Sequence, residues 1–172
     1  MHFKYVSILV FIIMGVNLLS GVKSCDAFLF HATRKAAAKR ILKKGFSRAK
    51  MRSTARFGKG VYTSIRKKTA VKEAGRVGTV IKFNDSKYLK KNTINFNRPT
   101  PKKIHKYLKG HDLRGSVKHN IIGPKLGKKI GSAASRKGKA IRYRSTKDLN
   151  GENIFIPQQV YSKNPRIITP KK

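Results

Sequence analysis

Six carboxylates stand in a chain of 172 residues that carries 42 lysines and arginines. Any reaction that needs a fixed negative charge must therefore draw on Asp26, Glu73, Asp85, Asp112, Asp148 or Glu152. Glu152 opens the apolar run ENIFIP close to the C-terminus, where a strand start would present it; the plain alternative is a surface glutamate in a turn. His31 closes a short apolar run, FLF, and is followed by Ala32 and Thr33. Taken alone, a histidine there is a buried side chain satisfied by backbone groups. Tyr62 follows Phe57-Gly58-Lys59-Gly60-Val61, and missing side chains at Gly58 and Gly60 let a ligand approach the main chain. Its plain alternative is a core tyrosine on a strand. His105, His111 and His119 offer a different chemistry, because a histidine pair with lysines can run general acid–base cleavage of RNA. No His, Cys or Asp cluster has metal-ligand spacing, so no metal is expected.

Charge is the loudest global feature. The formal net charge is +36, and the cations are spread along the whole chain rather than bunched in a tail, so they decorate a folded body. Such a field attracts nucleic acid and anionic surfaces without specifying a fold, and nonspecific polyanion binding is expected. The first 24 residues read as an export signal, with Lys4 at a charged start, an apolar core from Val6 to Leu19, and Val22-Lys23-Ser24 before the cut. Residues 25–172 then form a single domain, expected to be secreted and monomeric. An uncleaved anchor is the competing reading. Cys25, the only cysteine, would be the first residue after the cut and cannot close an internal disulfide; a lipid anchor on it is a minor alternative.

These residues need elements to hold them. Ala27 to Phe30 reads as a buried strand, Thr33 as an N-cap, and Arg34 to Lys44 as a helix stopped by Gly45. Ser47 to Arg56 is a basic loop, Gly60 to Ser64 a strand, and Lys67 to Ala74 a helix ended by Gly75. Thr79 to Phe83 alternates as a strand before an Asn84-Asp85 turn, and a helix starts at Pro101 with Ile104, Tyr107 and Leu108 on one face. The Gly-, Lys- and Ser-rich stretch from Gly110 to Gly138 reads as loop with short helix. Ala140 to Tyr143 and Asn153 to Ile156 read as strands joined by a turn over Ser145 to Gly151, with an edge strand over Arg166 to Thr169. Strands interrupted by single helices predict an α+β fold with a mixed sheet.

The ordered set His31, Thr33, Gly45, Phe46, Phe57, Gly58, Gly60, Val61 and Tyr62, with Glu152 and the later Gln159-Val160 pair, resembles the ADP-ribosyltransferase fold. The branch it resembles is the poly(ADP-ribose) polymerase one, with its His-Tyr-Glu catalytic set. Three departures are visible. Ala32 replaces the usual glycine, Gln159-Val160 lies one residue nearer the glutamate, and Val71, Lys72 and Glu73 stand where a second tyrosine is expected. The resemblance implies a split mixed sheet and NAD as the substrate. It implies a catalytic Glu152 beside an oxocarbenium-like sugar, His31 on a ribose hydroxyl, and Tyr62 stacked on nicotinamide. By the same resemblance, the Ala32 backbone and the Thr69 hydroxyl would meet the carboxamide, while Thr33, Gly58 and Gly60 complete the cradle. An exported mono-ADP-ribosyltransferase, a toxin or effector with an unread acceptor, is the expectation. A non-catalytic cationic binder of polyanions or membranes, and a secreted ribonuclease, are the alternatives.

Overall fold

The computed structural model describes residues 28–75, 78–108 and 117–171. The export signal, Cys25, Asp26, Ala27, His111 and Asp112 lie outside the described residues.

Seven strands form one sheet: β1 (Phe28–Thr33), β2 (Gly60–Ser64), β3 (Thr79–Asp85), β4 (Thr93–Phe96), β7 (Ala140–Arg144), β8 (Glu152–Pro157) and β9 (Ile168–Pro170). Two short strands, β5 (Val117–Lys118) and β6 (Ile121–Ile122), form a separate hairpin. The helices are α1 (Lys35–Lys44), α2 (Lys67–Ala74), α3 (Lys87–Asn92), α4 (Pro101–Leu108), α5 (Pro124–Arg136) and α6 (Gln158–Lys163). Strand order in the sheet is β4-β7-β8-β2-β1-β3-β9. Among the described residues only β4 and β7 run parallel, so the fold is α+β with a mixed sheet and short helices.

Strand alternation divides the apolar residues between two faces. Leu29, Val61, Ile81, Phe83, Ile154 and Ile156 bury one face under Ala38 of α1 and Val160 and Tyr161 of α6. Phe96, Ile141, Tyr143 and Phe155 bury the other under α4 and α5, through Ile104, Leu126 and Ile130. The ladder between β1 and β3 runs over six residue pairs, from Phe28↔Asn84 to Thr33↔Thr79. Between β1 and β2 it holds at one pair, Phe30↔Ser64, so the sheet nearly parts there.

Several local expectations change. Thr33 is the last residue of β1, paired with Thr79, and the N-cap of α1 is Arg34 without a side-chain cap. Gly45 does end α1, with φ of 74° and its N–H bonded to the Ile41 carbonyl at 2.8 Å. β3 runs through Asn84 and Asp85 instead of turning, because β9 pairs with both. The stretch read as loop with short helix contains α5, 13 residues long with Pro124 in its first turn. Its buried face is made of Leu126, Gly127, Ile130, Gly131, Ala133 and Ala134. Small residues spaced this way look like loop composition, yet they let the helix sit against the main chain of Arg56 and Phe57. Among the described residues no helix is long and apolar enough to cross a membrane.

Candidate active site

β1, β2 and β8 are consecutive in the middle of the sheet, and they carry His31, Tyr62 and Glu152. Where β1 and β2 part, a side chain takes over from the ladder. The His31 Nδ1 lies 2.8 Å from the Tyr62 carbonyl oxygen, and since a carbonyl only accepts, Nδ1 carries the proton. Nε2 is then the acceptor of the neutral ring. Phe46 meets the imidazole edge-on at 5.1 Å, and Phe46 itself packs on Phe83 and Tyr161. Burial lowers the His31 pKa, against a smaller upward pull from the Tyr62 carbonyl.

The lowered value fixes the sign of a pH effect. Above the ordinary pKa of 6.5 the ring is neutral in both folded and unfolded chains. Below it the unfolded chain takes up the proton first, so the stability that His31 contributes is lost as pH falls through its folded pKa. Melting curves of wild type and His31→Gln between about pH 8 and pH 5 should show the wild-type advantage shrinking on acidification. A constant or growing advantage would contradict the buried neutral ring.

Tyr62 does something local. Its hydroxyl accepts from the Phe57 N–H at 3.0 Å and donates to the Gly58 carbonyl at 2.9 Å, while its ring packs on Phe155 with centroids 4.8 Å apart. Burial raises the hydroxyl pKa, which keeps the donor proton in place. Tyr62→Phe should leave two half-buried backbone groups without this partner and cost about 1–2 kcal/mol. At roughly 2–4 °C per kcal/mol for a chain of this size, the shift is readable in a thermal melt. An unchanged melting temperature would show that water replaces the hydroxyl at no cost.

Register decides which side chains meet. Tyr62 is paired with Phe155 and shares its face. Glu152, three residues earlier on β8, points to the opposite face with Ile154. His31 alternates with Phe30, which pairs with Ser64, and so shares the face of Leu29, Ile154 and Glu152. The fold thus brings His31 and Glu152 to one face and turns the Tyr62 ring to the other. The expected convergence of all three side chains is corrected to two, plus the main-chain carbonyl of Tyr62.

Glu152 is clamped. Its Oε1 accepts from the Asn97 amide, and its Oε2 from the Arg142 Nε, with the Arg142 Nη2 in the same ion pair. Asn97 follows β4 and Arg142 lies mid-β7, so two neighbouring strands orient one carboxylate. Its side chain keeps 23% of its surface open, at the edge of a concavity of about 440 Å3. Sequence reading missed both partners. Arg142 could have been noticed as the cation between two apolar residues in AIRY; Asn97 carries no local signal.

Two other acids, Glu73 and Asp148, hold structure. Glu73 accepts from Ser145 and Asn153, and Asp148 accepts from Thr69 at 2.7 Å and pairs with Lys72 at 3.2 Å. The Thr69 hydroxyl, then Lys72, holds the Asp148 carboxyl below the usual range. Both acids therefore pin the turn before β8. Thr69 is fully buried, with its hydroxyl occupied, which removes it from the residues that could touch a ligand. Gly60 is also reassigned, because a Cβ there would collide with the Ile156 carbonyl and the Phe155 ring. Its missing side chain admits β8, not a ligand. Gly58 faces open space at φ +89°, so the turn geometry requires it. Ala32 pairs with Val80 and is not among the residues of positive φ, so its methyl group causes no strain. His105 and His119 are exposed, on α4 and on the β5–β6 turn. Among the described residues no three His, Cys, Asp or Glu side chains gather as a metal site would require.

Comparison of the chain with protein-family models, curated proteins and solved structures finds no significant match in any of the three.

Proposed function

We propose that this protein is an exported NAD-dependent mono-ADP-ribosyltransferase, acting as a toxin or effector. The observation that carries the reading is Glu152 at the start of β8, fixed by Asn97 and Arg142 on the sheet face that His31 shares. In ADP-ribose transfer the bond between ribose C1′ and nicotinamide breaks, nicotinamide keeps the electron pair and leaves neutral, and the sugar becomes cationic. A carboxylate held ready beside that sugar stabilises the transition state more than the ground state. Asn97 and Arg142 keep it oriented, so little reorganisation is needed when charge develops. The neutral His31, with Nδ1 held by Tyr62, offers Nε2 to a ribose hydroxyl. The resemblance of FLFHAT and FGKGVY to the polymerase branch supports the same assignment.

The test is incubation of the exported protein with NAD labelled in the adenosine half, with and without cell extract. Nicotinamide release and transfer of label to a macromolecule are expected. No release above a protein-free blank, from a protein that melts cooperatively, would sink the reading. It would favour instead a non-catalytic polyanion binder, which the 42 lysines and arginines support by charge alone.

A further inference from the structure

Four strand ends meet at one end of the sheet. Arg66 lies just past β2, Arg98 just past β4, Arg144 closes β7, and Glu152 opens β8, with Leu149 and Asn150 in the turn between the last two. Together they line the concavity beside Glu152. Three guanidinium groups thus share the concavity with one carboxylate, which Arg142 already pairs. The site as a whole calls for an anion. Guanidinium is suited to phosphate in particular, because its planar fork donates two parallel hydrogen bonds to one phosphate group. Arg144 is held in position by its Nε bond to the Leu149 carbonyl at 2.6 Å. That bond also fixes the turn that carries Leu149, a residue 63% exposed. An apolar side chain standing among arginines is out of place for a purely ionic ligand. A nucleotide offers both partners, a phosphate for the guanidinium groups and an apolar base face for Leu149. Asn150, also exposed, carries the amide that pairs with base edges.

We propose that this concavity binds a single-stranded nucleic acid, with its phosphates on Arg66, Arg98 and Arg144 and a base against Leu149. A single strand is required because a base stacked in a duplex keeps its faces, the part that Leu149 would meet, out of reach. The remaining cations of the surface supply the nonspecific attraction that brings a long polyanion to the site. The site rests on the proposed transferase function only for the role of the strand, which is then the acceptor. The bond that forms joins ribose C1′ to a base nitrogen, which gives up its proton to solvent as nicotinamide leaves with the bonding electrons.

Binding of fluorescein-labelled single-stranded DNA and RNA of about 20 nucleotides, followed by anisotropy across a salt series, separates site from surface. Arg66→Ala/Arg98→Ala is compared with Lys35→Ala/Lys39→Ala, which removes the same charge from exposed positions on α1. The first pair should weaken binding about tenfold or more and lower the salt slope by about 1.4, roughly 0.7 for each phosphate of a single strand that is no longer neutralised. The control pair should change either quantity little. Equal losses in both variants, or tighter binding of polyglutamate than of either oligonucleotide, would overturn the site. Whichever oligonucleotide binds tighter identifies the kind of strand. Nicotinamide release by the wild-type protein, read separately, keeps the two readings apart. Release with no label on the bound oligonucleotide removes the acceptor role and leaves the enzyme; a strand held by the arginines without any release supports the site and removes the enzyme.

Discussion

Glu152→Gln is expected to lower ADP-ribose transfer by about two to three powers of ten, or roughly 3–4 kcal/mol of transition-state stabilisation, in a protein that still folds. Glutamine keeps the size of the side chain and can still accept from Asn97. What it loses is the charge, which in the proposed transfer matters most when the sugar becomes cationic. The ion pair with Arg142 also goes. Because the Arg142 side chain is 41% exposed, water can take up its guanidinium, and the stability cost should stay within about 1 kcal/mol. Activity and melting temperature therefore separate in this variant. Nicotinamide release at the wild-type rate would remove Glu152 from the chemistry. Glu73, the other glutamate, cannot substitute for it easily, since its carboxylate holds Ser145 and Asn153.

The second large effect is on stability, and its sign is the informative part. In an isolated helix Gly→Ala stabilises by about 1 kcal/mol, and α5 carries two interior glycines, Gly127 and Gly131. At Gly131 the reverse should happen. A Cβ there would overlap the Phe57 carbonyl oxygen and stand 2.8 Å from its carbon and 3.1 Å from its Cα. These are backbone atoms that no rotamer change can move aside. Gly131→Ala should cost about 1–3 kcal/mol, as overpacking does. The strain also reaches the site, because the Phe57 N–H is bonded to the Tyr62 hydroxyl. Ser132→Ala, at the exposed neighbouring position, should be close to neutral. Paired thermal melts check this; a Gly131→Ala protein as stable as wild type would mean that α5 does not press on Phe57.

Local pattern alone determined the parts of this protein whose signals lie within a few residues. Ile81, Lys82 and Phe83 alternate apolar and polar, NIFI is buried on both faces, and Gly45 and Gly75 end their helices because a chain that must leave a helix there does so most easily at glycine. The place of Glu152 at the start of β8 was legible for the same reason. Only the tertiary structure decided the rest. α5 hides its helical character in small residues, which are chosen by the approach of Arg56 and Phe57 rather than by hydrophobic periodicity. β4 is a strand because β7 lies beside it, and parallel pairing with a distant segment leaves no turn signal between them. Thr69 and Asp148 are 79 residues apart, so the loss of that hydroxyl to a structural bond was invisible from the sequence around either. The face of Tyr62 was undetermined for the deepest reason. A strand sequence says that neighbours alternate, but which set faces the core follows from register with β8, and shifting that register by one residue would exchange the two sets.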